Sequence, residues 1–314
     1  MAAAGIALAA LTLSGATAGI VIVGLVAVLA VARSVSSVSY KDVLGKTVEK
    51  ARRGRVSGNA ASIAAAGVLV FGALLLTGWV DRVVVVSGAI GLSAVLWLMA
   101  AGVFTRLRET PSEPAHVEQT STVRRYWQYL RTDRELQKLI VARGLLMATA
   151  IAPPYLILLA SDATGSMFTQ LGLLVVAAAL AAFVSGWVWG IFSDRSTPLA
   201  MASAGILAAF TLLVAIAAAA AGWFAHLFVL PALLLVLMVA YQGVRIGRTT
   251  QLVNIANEDT RTAYTALSNT IIGIALLLTG GLGFLVPLLG IGFVLWTLVG
   301  MCLLGAAVAS RMQA

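Results

Sequence analysis

The residues best suited to chemistry in this chain sit at one short turn, Gly190-Ile191-Phe192-Ser193-Asp194-Arg195, set between two long apolar runs. A carboxylate there has two uses: it accepts N–H donors from the start of the following helix, and it pairs with a cation such as Arg195, Arg245 or Arg248. Gly186 and Gly190 stand four residues apart, the spacing at which small residues let two membrane helices touch backbone to backbone. Such a cluster can hold one contact shut, and breaking it would shift a two-state equilibrium by about 1–3 kcal/mol. The alternative is a plain helix cap with exposed charges, which contributes little.

Other chemistries find no residues to carry them. The single cysteine, Cys302, lies in the last apolar run and has no second thiolate for a disulfide or a metal site. Gly45-Lys46-Thr47 looks like the end of a phosphate-binding loop, but Tyr40 stands where that loop needs its first glycine. His116 and His226 fall at loops or helix ends, and no Ser/His/Asp set or pair of carboxylates lies within reach. The expectation is therefore no enzyme activity, no metal and no cofactor.

The elements that position Asp194 follow from composition. Hydrophobic residues make up 61% and charged residues 11% of 314, and mean hydropathy is +1.00. A soluble domain of this size carries about 25% charged residues, so the chain reads as a polytopic membrane protein, all-α, in contact with the lipid bilayer. The net charge of +9 does not indicate nucleic acid, because the cations are confined to short loops between apolar runs.

The order of those runs gives about nine full spans and one partial. Met1–Ala32 carries no charge over 32 residues, more than the roughly 20 of one crossing and less than a hairpin needs. A first helix over Ala2–Leu13 is too short to span and turns at Ser14–Gly19. A basic loop follows, with Arg33, Lys41, Lys46, Lys50, Arg52, Arg53 and Arg55 against Asp42 and Glu49. Val56–Val80 and Val83–Thr105 are each one helix long, joined at Asp81-Arg82.

Residues 106 to 143 hold 13 of the chain's 33 charged side chains and divide it. Residues 1–105 are an incomplete first bundle. Residues 106–135 are a cytoplasmic linker in which Val123, Tyr126, Trp127 and Leu130 recur at helical spacing, as in a helix lying among lipid headgroups. Thr132-Asp133-Arg134-Glu135 fits a capping box, and residues 136–314 form a complete six-helix bundle. Its first span, Leu136–Ala160, should kink at Pro153 and Pro154. Ser196–Val244 and Thr262–Ser310, each 49 residues without a formal charge, are hairpins, and Arg245, Arg248, Glu258, Asp259 and Arg261 make the loop between them. This map puts 20 of the 21 Lys and Arg residues on one side, with Arg82 alone on the other. The positive-inside rule makes the crowded side cytoplasmic, with both termini there and the protein multi-pass in a plasma membrane.

Gly190-x-x-x-Asp194-Arg195 between two membrane helices resembles the loop signature of the major facilitator superfamily, which recurs after the second helix of each six-helix half. Here it follows the second span of the second half. The stretch from Lys41 to Gly58, KDVLGKTVEKARRGRVSG, is similar to the loop after the fourth helix in a prokaryotic branch of these transporters, and Val253–Thr270 looks like its repeat. Arg33 stands roughly where the fourth helix of the family carries an arginine. Two departures matter: Ser196-Thr197-Pro198-Leu199 replaces the signature's trailing basic residues, and the likeness begins within the family's third helix. The chain then corresponds to helices 3–12 of a 12-helix fold, as an N-terminally truncated form.

What the resemblance implies is a secondary active transporter that moves a small solute by alternating access, with a proton or sodium as candidate coupling ion. Arg33, Arg245 and Arg248 become candidate ion-pair partners. The helices that line a central cavity would present Pro153, Pro154, Tyr155, Tyr241 and Gln242. Gln170, Ser185, Ser268 and Asn269 are further polar groups within the spans, each also explicable as a helix-packing hydrogen bond. A non-transporting scaffold or sensor on a degenerate transporter fold is the alternative, and an enzyme of lipid-linked substrates using the basic loop is a weaker one.

Overall fold

The second helix runs much further than the charge pattern suggests. In the computed structural model, which describes residues 1–49, 52–77, 81–106, 122–164 and 171–313, α1 spans Ala2–Thr12 and α2 spans Gly15–Thr47. The basic stretch after Arg33, expected as a loop, is therefore mostly helix. Ser36, Ser39 and Thr47 hydroxyls donate to the carbonyls of Ala32, Val35 and Val43, each four residues back. Folded onto their own helix in this way, they do not compete with it. The turn before α2 is made by Ser14 and by Gly15 at φ 64°, a left-handed conformation that suits glycine.

Helix α3 covers Arg53–Thr77 and α4 covers Arg82–Phe104. Then come α5 at Thr122–Thr132, α6 at Arg134–Leu146 and α7 at Ala148–Thr164. The sequence places a kink at Pro153 and Pro154. The break in the helix falls earlier, at Met147, because each proline ring pushes on a carbonyl four residues back, at Thr149 and Ala150, and so disturbs the preceding turn. The cap of α6 is Asp133, whose Oδ1 accepts from the N–H groups of Glu135 and Leu136. Glu135 does not close a capping box with Thr132. It pairs instead with Lys138 at 2.7 Å and accepts from the Gln313 N–H.

The remaining helices are α8 at Leu171–Arg195, α9 at Thr197–Ala220, α10 at Val229–Ile255, α11 at Glu258–Gly280 and α12 at Val286–Ala309. A short 3-10 turn at Trp223–Ala225, entered through Gly222, joins α9 to α10. Among the described residues, eight stretches are long and apolar enough to cross a membrane, and the last of them, Thr260–Ala309, is 50 residues long. At about 20 residues per crossing that stretch is two spans, α11 and α12, separated by a second 3-10 turn at Gly281–Leu285. Nine crossings result among the described residues, with the 11-residue α1 too short to make a tenth. The protein is an all-α polytopic bundle.

The core lies in α6 to α12. Leu156, Leu212, Leu237 and Leu298 are fully buried at its centre, and Leu139, Leu146, Met201 and Leu252 continue it toward the end where basic residues gather. Gly205 and Gly305 leave room for Leu146, since an added Cβ would come within 2.7 Å and 2.8 Å of its side chain. Apolar side chains such as Ile20, Phe210, Leu277 and Trp296 are exposed, as the lipid-facing surface of a membrane bundle requires.

Candidate functional site

Helix α3 begins with a problem that its own sequence does not solve. Gly54 and Arg55 present unpaired N–H groups at its start, and Arg52, just before the helix, is a donor with no oxygen to offer. The acceptor comes from α8. Asp194 Oδ1 accepts from the Gly54 N–H at 2.8 Å and Oδ2 from the Arg55 N–H at 3.2 Å. Two charge-assisted hydrogen bonds at the positive end of the helix dipole thus join α8, in the second half of the chain, to α3, in the first.

Close approach of the two backbones makes this reach possible. Gly54 and Gly58 on α3 face Gly190 and Gly186 on α8, each pair four residues apart. A Cβ on Gly54 would stand 2.6 Å from both the Gly190 carbonyl and Asp194 Oδ1, and a Cβ on Gly58 would run into the Gly186 carbonyl. One turn further on, Ser62 Oγ donates to the Phe183 carbonyl at 2.7 Å. The antiparallel seam continues to Gly72, which lies against Val175 and Val176.

The sequence expectation had Asp194 accept from the start of the following helix and pair with Arg195, Arg245 or Arg248. The cap of α9 is Ser196, which accepts from the Leu199 N–H, and both Asp194 oxygens are turned across the seam. Arg195 is exposed and meets no described partner. Arg245 donates to Gln242 at 3.3 Å. Arg33 is exposed on α2 and lines a cavity of about 270 Å³ with Met1, Ser36 and Trp97, apart from Asp194.

Two groups that were not among the candidate site residues complete the region. Arg53, at the start of α3, donates to the carbonyls of Val48 at 3.0 Å and Gly45 at 2.9 Å and to Asn254 Oδ1 at 3.3 Å. It ties the end of α2 to the end of α10. Trp189 fills the space left by Gly243 on α10 and donates its Nε1–H to the Val239 carbonyl at 2.9 Å, fastening α8 to α10 as well as to α3. Only the arginine left a trace in the sequence, as one cation of a basic run.

Of the candidate cavity residues, Pro153, Tyr155 and Tyr241 are half-buried, Pro154 is exposed and Gln242 is buried. Ser268 and Asn269 are brought together by Arg143, whose Nη1 and Nη2 donate to them at 2.7 Å and 2.9 Å. Ser185 is buried with its hydroxyl unpartnered. Gln170 and His116 lie outside the described residues, as do linker residues 107–121. Among the described residues no three His, Cys, Asp or Glu side chains gather as a metal site would need.

The model of the Major Facilitator Superfamily matches residues 1–280. The chain belongs to that family. Among solved structures this superfamily member is similar to a bacterial homologue of the iron transporter ferroportin, crystallised in an outward-facing state, with 16% identity and a TM-score of 0.70. That match covers 99% of this chain and 80% of the other, and it shows the fold. No curated protein matches. Family and fold make this a membrane transporter of the major facilitator type.

Proposed function

We propose that the protein is a secondary active transporter that carries a small solute by alternating access, its two bundles, residues 1–105 and 136–314, rocking about the α3–α8 seam. The reading rests on one observation: Asp194, at the end of α8, caps the start of α3, so two parts of the chain are latched at the end of the helices where cations crowd. With Gly186 and Gly190 it forms the gate; Arg195 is exposed beside it. On the positive-inside rule that end faces the cytoplasm of a prokaryotic cell, and the C-terminus, held by Glu135 and Gln251 through Gln313, lies there. A latch of this kind keeps the cytoplasmic side closed, and releasing it favours the opposite state.

The test is solute flux in reconstituted vesicles with an imposed proton or sodium gradient, run beside cysteine accessibility on an otherwise cysteine-free chain. Asp194→Asn should slow flux and raise labelling of cysteines placed at 57 and 185. Flux and labelling that match the parent protein would remove the gate, and absence of any gradient-driven flux would hand the fold to the scaffold or sensor reading.

A further inference from the structure

Three arginines lie inside helices, two of them, Arg245 and Arg248, where a loop was expected. Arg245 and Arg248 belong to α10, ten and seven residues before its last residue, Ile255, and Arg143 belongs to α6, nine residues after its first. At 1.5 Å per residue they sit roughly 10–15 Å along the helix axes from the basic end. Cations at such a depth are costly unless paired, and they mark a functional path.

Among the described residues, their surroundings supply no counter-charge. Arg245 and Arg248 share with Met238 and Tyr241 the open stripe of α10, while Leu237, Ala240 and Val244 face the core. Arg248 is within electrostatic reach of Arg143, Arg245 and Tyr241. The hydrogen bonds of Arg143 go to neutral groups, Ser268 and Asn269, and that of Arg245 goes to the neutral Gln242. Arg143 Nε is buried and unpartnered, and so is the hydroxyl of the fully buried Thr265, one turn before Ser268 on the same face of α11. Among the described residues no carboxylate pairs with any of the three arginines.

We infer that the solute is a small anion, a carboxylate or phosphate compound, held where α6, α10 and α11 meet by Arg143, Arg245 and Arg248. The inference rests on the transporter reading and gives its substrate class. The planar guanidinium of Arg143, fixed at two nitrogens by Ser268 and Asn269, keeps Nε–H free to donate to an oxyanion, and the other two arginines complete the charge balance. A divalent cation, by contrast, would be repelled by three positive charges.

The experiment measures thermal unfolding of the full chain in an uncharged detergent at low salt. Succinate, inorganic phosphate, glucose and choline chloride are titrated separately, and phosphatidylglycerol is a further arm. Succinate or phosphate should raise the midpoint saturably, and Arg143→Gln or Arg248→Gln should weaken the half-saturating concentration about tenfold or more, as loss of a charged hydrogen bond does. Arg245→Gln, at an exposed position, is the variant least exposed to folding defects, and Arg248→Lys should recover part of the loss. A flat response to both anions, an equal response in all variants, or a response to phosphatidylglycerol alone would overturn the assignment. Binding in detergent needs no gradient, so it can stand when vesicle flux fails. Gradient-driven flux of a neutral or cationic solute would retain the transporter and sink the anion site.

Discussion

The α3–α8 seam and the arginine cluster of α6, α10 and α11 hold helices together in opposite ways. At the seam the side chains are removed: four glycines let carbonyls and Cα atoms of two helices meet, and one carboxylate caps the junction. At the cluster long side chains reach across, and among the described residues no carboxylate balances the charges they carry. A seam of backbone contacts is stiff and tolerates no added atom. A cluster with spare charge is unsatisfied as it stands and gains from a ligand. On the proposed reading, the same bundle separates the part that locks from the part that binds.

Breaking the seam should have the largest effect. Gly58→Val places a branched side chain against the Gly186 carbonyl, and overpacking of this kind costs about 1–3 kcal/mol or more; the thermal midpoint of the purified protein should fall by several degrees, and a crosslink between cysteines at 62 and 183 should weaken. Asp194→Asn keeps the shape and removes the charge, so the cap of α3 loses about 1 kcal/mol; labelling at 57 should rise with little change in the midpoint. An unchanged labelling pattern would mean that the glycines alone hold the contact.

Smaller effects sharpen the contrast. Arg53→Gln gives up carbonyl bonds from Gly45 and Val48, and should cost about 1 kcal/mol, read as a faster proteolytic cut between α2 and α3. Arg195→Gln, at an exposed residue with no described partner, should change midpoint and labelling within about 0.5 kcal/mol. If Arg195→Gln instead matched Asp194→Asn, the signature would act through its arginine as well as its carboxylate.

The fold was largely legible because apolar run length, loop charge and a glycine–aspartate turn are local signals. The nine crossings follow from them, and so does the choice of Asp194 as a candidate. The partner of Asp194 was not legible, since α3 lies some 140 residues earlier and nothing local tells a helix that its missing acceptor will come from another. Gly54 and Gly58 carried a hint, the same four-residue spacing as Gly186 and Gly190, hidden inside a run dominated by arginines. The sequence pattern assigns Arg245 and Arg248 to a loop because charge is the usual marker of one; their helix continues past them, two to three turns, to Ile255.

Helix α2 is 33 residues long, about 50 Å at 1.5 Å per residue, while the hydrocarbon layer is only about 30 Å thick. Its tip, carrying Gly45, therefore stands clear of the lipid and is grasped there by Arg53. A rigid rod of that length is a lever. A lean of ten degrees about its far end would carry the tip sideways by roughly 9 Å, so a slight tilt in the bilayer becomes a large stroke at the place where α2, α3 and α10 are tied.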